Sequence, residues 1–192
     1  LTLWNEYRDE LLQMCPLPPG IPQDASHYLS QIDSIYVKDA YNSLSIEGYH
    51  VTPHIIEKVR NNNWNPLLHP EDLKEHNTLA ARGYFEAHLA VKESIKKILQ
   101  GATPGEVVQM DLPTWYQSLF SPLMAAGILQ KSELVGYRRG QVFIRNSRHT
   151  PLPKDALIDA METLFLCLMR EAHPFVRAVL GHYVFVFIHP YM

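Results

Sequence analysis

His173-Pro174-Phe175-Val176-Arg177-Ala178-Val179-Leu180-Gly181-His182-Tyr183-Val184-Phe185-Val186-Phe187-Ile188-His189-Pro190 contains one arginine, no lysine and no carboxylate. Proline suits the first turn of a helix, so His173-Pro174 opens one. The residue before a second proline is pushed out of the α region, so the helix closes at His189. An element this apolar between two such marks belongs inside a fold. Its most apolar part, 178–188, is too short to span a bilayer.

Working back from this element, helical spacing recurs along most of the chain. Leu3, Trp4, Tyr7, Leu11 and Leu12 form a first stripe, stopped by the stiff connector Pro16-Leu17-Pro18-Pro19-Gly20-Ile21-Pro22. Ser26 is the expected N-cap of a second helix carrying Leu29, Ile32, Ile35, Tyr36, Ala40 and Leu44, with Gly48 as its C′ residue. Thr52-Pro53 opens a short helix, and Asn61-Asn62-Asn63 breaks it. A long helix is expected from Pro70 to about Gln100, with another from about Leu112. Between Tyr137 and Arg148 the pattern changes to a β-rich run followed by Asn-Ser, which predicts a short β-hairpin closed by Pro151-Leu152-Pro153. Helical spacing then returns at Leu157, Met161, Leu164, Phe165 and Leu168. The predicted fold is mainly α with one late hairpin.

The 192 residues suit one ordinary domain, or one domain with a small extension. Apolar residues make up 46 % and charged residues 19 %, which supports a packed core and rules out wholesale disorder. A net charge of −3 argues against a nucleic-acid partner held by a broad basic face. Cys15 and Cys167 make neither a disulfide framework nor a zinc site; Cys167 in its apolar run reads as a buried, inert thiol. A reducing, cytoplasmic setting without membrane contact is expected. The chain opens without Met and stops directly after a strongly apolar element, and the expectation is that it continues beyond Met192.

Two residues stand out for chemistry. His189 lies at the end of a rigid apolar helix, at the mouth of a loop, where an imidazole is well placed as a general base. The negative end of a helix favours its charged form. Glu47 lies in the last turn before Gly48, facing that same negative end, which is the arrangement of an acid awaiting a cation elsewhere. The bland reading of Glu47 is a solvated side chain. His69-Pro70 and His173-Pro174 read as helix boundaries. His50 and His54 have ligand spacing, but a helix starts between them and no third ligand is near in sequence. Arg138, Arg139, Arg145 and Arg148 make the hairpin a solvated basic face, or one that meets a phosphate or an acidic segment.

Phe185-Val186-Phe187-Ile188-His189-Pro190-Tyr191-Met192 resembles the opening of the Fic signature, F-x-x-I-H-P-F-x-[D/E]-G-N-G-R. Ser43-Leu44-Ser45-Ile46-Glu47-Gly48 resembles the inhibitory-helix motif of that family, [S/T]-x-x-x-E-[G/N]. Tyr137-Arg138 through Pro151-Leu152-Pro153 resembles its flap. The three occur in the family's order and cover about 25–192. Tyr191 stands where Phe is commoner, and the rest of the signature lies beyond Met192. The resemblance implies a Fic-type helical bundle divided into an N-terminal helix and connector (1–22), an inhibitory-helix region (23–60) and a Fic core (61–192).

The activity implied is protein adenylylation, the transfer of AMP from ATP to a target hydroxyl, with Mg2+ assisting. His189 would act as base. Val142, Phe143, Ile144, Arg145 and Asn146 would align the target segment. Ser43, Glu47 and Gly48 would inhibit, Glu47 by pairing with the signature's second arginine. The residues that hold the metal and cradle the phosphates would lie beyond Met192, so no metal ligand falls within this sequence. Partners implied are ATP and a protein bearing a Tyr, Thr or Ser hydroxyl, with room for self-modification and a homodimer. Two other readings stay open. One is a non-catalytic helical module that binds peptides through the hairpin. The other is a Fic-fold enzyme that removes AMP or transfers a different phosphate-linked group.

Overall fold

The structure is a computed structural model and describes residues 2–61, 76–144 and 147–191. Among these residues seven helices make up most of the chain: α1 (Thr2–Met14), α2 (Ala25–Ile46), α3 (Pro53–Arg60), α4 (His76–Leu99), α5 (Pro104–Ala125), α6 (Leu157–Arg170) and α7 (Pro174–Ile188). Single 3-10 turns occur at Lys131–Glu133 and Lys154–Ala156, and no described residue is in a strand. The fold is mainly α, as the apolar periodicity predicts. None of the described helices is long and apolar enough to cross a membrane.

Among the described residues the expected hairpin is not shown as a ladder. Gln141–Ile144 has no strand pairing, although the chain does turn, with the Ser147 N–H donating to the Ile144 carbonyl at 3.1 Å. Arg145 and Asn146 lie outside the described residues. A lone two-stranded ribbon is marginal in water, and Pro151 and Pro153 have no N–H to give a returning strand. Two helix starts also differ from expectation. Asp24, not Ser26, caps α2, its Oδ1 accepting the His27 N–H at 2.9 Å. Helix α5 begins at Pro104 and carries Pro113 and Pro122 inside it, so Pro113 is an interior proline rather than a first-turn one. The start expected at Pro70 lies outside the described residues.

The chain divides into two compact units. One comprises 22–100 and 111–135. Its core is the Tyr36, Ala40 and Leu44 stripe of α2, spaced four apart, against Ile56 and Val59 of α3 and Ala81 of α4. Each fully buried large apolar side chain is worth roughly 1.5–3 kcal/mol in removed water contact. Thr52 caps α3 by accepting the Ile55 N–H at 3.2 Å. Ser94 of α4 is buried because it is satisfied: Trp115 Nε1 donates to its Oγ at 2.9 Å, and the Oγ donates to Asp111 at 2.6 Å. Lys97 closes the set on Asp111 at 2.7 Å and, with Ser94, holds that carboxyl below its ordinary range.

The other unit comprises 1–21, 101–110 and 136–192. Leu157, Met161, Leu164, Phe165 and Leu168 of α6 are buried, as are Val176, Leu180 and Ile188 of α7 and Trp4 of α1. The two long helices approach closely at Gly181, where an added Cβ would sit 2.8 Å from Leu168 Cδ2. Cys167 is buried, and burial pushes its thiol up, in line with the inert role expected of it.

Candidate functional site

The end of α7 is the most constrained backbone in its unit. His189 closes the helix as C-cap, its N–H donating to the Phe185 carbonyl at 2.9 Å. Its φ of 50° and ψ of 63° are left-handed, and it is the one non-glycine residue with positive φ among the described residues. Pro190 explains why the helix stops, because proline bars the α region to the residue before it. A non-glycine residue in this region is held there at a local cost of order 1 kcal/mol and marks sites that the surroundings over-determine.

The surroundings that fix it come from the 137–152 segment. The Arg138 N–H donates to the Pro190 carbonyl at 2.8 Å. The Arg138 side chain donates from Nε to the His189 carbonyl at 2.7 Å, from Nη1 to the Gly140 carbonyl at 2.8 Å, and from Nη2 to the Leu152 carbonyl. His149 Nε2–H donates to the Phe187 carbonyl at 2.8 Å, and its ring lies 4.5 Å from that of Phe187. Tyr191 packs against Tyr137 and Phe185, with ring centroids 5.8 Å and 6.2 Å apart.

Arg138 therefore corrects the sequence reading. It is not part of a solvated basic face but is 5 % exposed, its fork spent on three carbonyls. Burial lowers its pKa, yet arginine stays charged at any ordinary pH. Arg139 and Arg148 are exposed. The charge state expected for His189 is corrected too. Burial lowers its pKa, and the neighbouring Arg138 and His149 lower it further, against the upward pull expected at a helix C-terminus. At neutral pH the imidazole is a free base, able to accept a proton. Along the 137–152 segment, Val142 and Ile144 are half-buried, whereas Phe143 is 78 % exposed and in no strand.

Glu47 belongs to the other unit. It is the exposed C-cap of α2, and Gly48 follows with φ of 85°, the left-handed turn that only glycine adopts freely. The Gly48 and Tyr49 N–H groups return to the carbonyls of Ser45 and Leu44 at 3.1 and 2.9 Å, closing the helix. Among the described residues the Glu47 carboxylate has no hydrogen-bond or ion-pair partner. Ser43, one turn back, is held by the Tyr84 hydroxyl at 3.2 Å, and the same hydroxyl donates to Asp39 at 2.6 Å.

His50 and His54 are exposed on either side of the α3 cap, and His182 is exposed on α7. His69 lies outside the described residues. Among the described residues no group of three or more His, Cys, Asp or Glu is placed to hold a metal ion. Three residues that shape these sites were not singled out from sequence: His149, Tyr84 and Asp39. No family model, curated protein or solved structure matches the chain.

Proposed function

We propose that this chain belongs to a Fic-type protein adenylyltransferase, with His189 as general base and Glu47 as its built-in inhibitor. The observation that carries the reading is the fixed helix end at His189, whose imidazole is held below its ordinary pKa by burial and whose carbonyl is held by Arg138, the residue that also holds Gly140 and Leu152 on either side of 142–144. A target hydroxyl oxygen would attack the α-phosphorus of ATP. A new P–O bond forms, the bond to the departing pyrophosphate breaks, and the hydroxyl proton passes to His189. A placed imidazole is typically worth ~10²–10⁴-fold in such a step. An extended target segment laid along Val142–Ile144 would supply the ladder partner this backbone lacks, which is how a flap would align its substrate. Mg2+ would neutralise phosphate charge, but no set of described residues fits it, so no step is assigned through it.

The test uses ATP labelled at the α-phosphate, with the native polypeptide and cell lysate as acceptor. Label transfer is expected, with its loss in His189→Ala. Transfer that persists in that variant removes His189 as base. One observation favours a second reading: Phe143 offers a large exposed apolar ring on unpaired backbone, as a peptide-binding module would. Capture of target protein without label transfer selects that module. Release of AMP from labelled target selects the reverse reaction on the same site.

A further inference from the structure

Nothing about a histidine at a helix end requires a buried arginine next to it. An arginine whose only task was to staple a loop would need the carbonyls of that loop alone. Arg138 instead divides its donors. Nη1 and Nη2 hold Gly140 and Leu152 at the two ends of the 137–152 segment, while Nε and the backbone N–H hold His189 and Pro190. His149 takes the Phe187 carbonyl, two residues before His189. The carbonyls of 187, 189 and 190 are thus all held from one segment, on both sides of the left-handed residue.

We propose that Arg138 and His149 are positioning residues for His189, fixing the backbone on either side of it so that the direction of its imidazole is set by the segment that would carry the target. The inference deepens the transferase reading and rests on it for its purpose, though its geometry stands apart from any reaction. A backbone pinned in this way sets the Cα–Cβ direction, and errors of about 1 Å in a base can lower a rate on the order of 10²-fold. The two residues also act on charge. Among the described residues, the charged and titratable groups facing His189 are Arg138 and His149; Tyr137 and Tyr191 bring phenols, and Tyr137 in turn faces Glu162 of α6.

The test is an NMR titration of the His189 imidazole in the 192-residue chain, with no nucleotide or target present. It is run on the parent, on Arg138→Gln and on His149→Phe. Arg138→Gln is expected to move the His189 midpoint upward, because a guanidinium is removed, and both variants are expected to change the ring's chemical shifts at fixed charge state. A merely structural role predicts a lower Tm with the midpoint and ring shifts unmoved, and that result overturns the proposal. If Arg138→Gln does not fold, His149→Phe decides alone, since phenylalanine keeps a ring against Phe187 but removes the donor to its carbonyl; unmoved ring shifts of His189 there overturn the proposal equally. The readout needs no enzymatic activity, so failure of the transferase reading and failure of this inference are separate results.

Discussion

The Arg8 guanidinium donates from Nε to Glu171 Oε2 at 2.6 Å and from Nη2 to Oε1 at 3.3 Å, tying α1 to the end of α6. The Glu171 side chain is 1 % exposed, and the His173 N–H also donates to it, at 3.0 Å. Burial alone would raise this carboxyl, but Arg8 and the His173 N–H more than offset that, and it lies below its ordinary value. A group depressed in the fold contributes stability above its unfolded pKa and loses it as pH falls through its folded one. Removing Arg8 would leave a buried carboxylate short of its cation. Arg8→Ala is expected to lower stability by about 1–3 kcal/mol at neutral pH, a range kept low because Arg8 is itself 37 % exposed. Urea unfolding followed against pH should show the difference from the parent shrinking below pH ~4; a constant difference would remove the ion pair as its cause.

At the alkaline end the Tyr84 hydroxyl contributes alongside the buried hydroxyl of Tyr36, which burial raises further. Burial and the bond to Asp39 push the Tyr84 pKa up to about 12, with Ser43 opposing. Between about 10, where an unfolded tyrosine ionises, and 12, the folded chain keeps a proton that the unfolded chain has lost. Stability therefore falls as pH rises through that window. Tyr84→Phe is expected to lower stability by ~0.5–1.5 kcal/mol at pH 7. It should also flatten the fall above pH 10, measured by denaturant unfolding between pH 8 and 11. An unchanged slope would show that another group sets it.

Gly83 of α4 meets the backbone of α5, where an added Cβ would overlap the Leu119 carbonyl and clash with its carbon at 2.9 Å. A carbonyl in a helix cannot turn aside as a long side chain can. Gly83→Ala is therefore expected to lower stability by roughly 1–3 kcal/mol, despite alanine's better helix propensity. Gly140→Ala, with open space at its Cβ position, serves as the control and should leave Tm within about a degree. A stabilised Gly83→Ala would contradict the close approach.

What the sequence made legible follows from what each signal depends on. Proline, glycine and apolar spacing are local, so α2, α3 and α7 end where Gly48, Asn61 and His189 suggest. Pro113 misled because a proline tolerated inside a helix looks the same, residue by residue, as one that starts it. The hairpin is not shown among the described residues, and its signal was weak because β-branched and aromatic residues report a preference for extended backbone, not a partner strand. Arg138 could not be recognised as buried, because the three carbonyls that satisfy it lie 2, 14 and 51 residues away. His189 was legible as a position and not as a charge state, since its burial and the guanidinium of Arg138 beside it exist only in the fold.

The regulatory half of the functional reading makes the sharpest demand on a single side chain. Glu47 is exposed at a helix C-terminus, where the dipole opposes its charge, and nothing among the described residues compensates. An acid left there is tolerated at little cost, so stability alone does not explain it, and its removal should not unfold the chain. If it restrains catalysis, Glu47→Gly should raise ATP-dependent self-labelling by roughly 5–150-fold, the range of a coupling free energy of about 1–3 kcal/mol. Two adjacent glycines would fray the end of α2, so Glu47→Gln is the cleaner partner variant: it keeps the helix end and removes only the charge. Both should label faster than the parent, with Tm changed by no more than a few degrees. If labelling rises in the glycine variant alone, the effect belongs to the loosened helix. If it rises in neither, Glu47 is not an inhibitor.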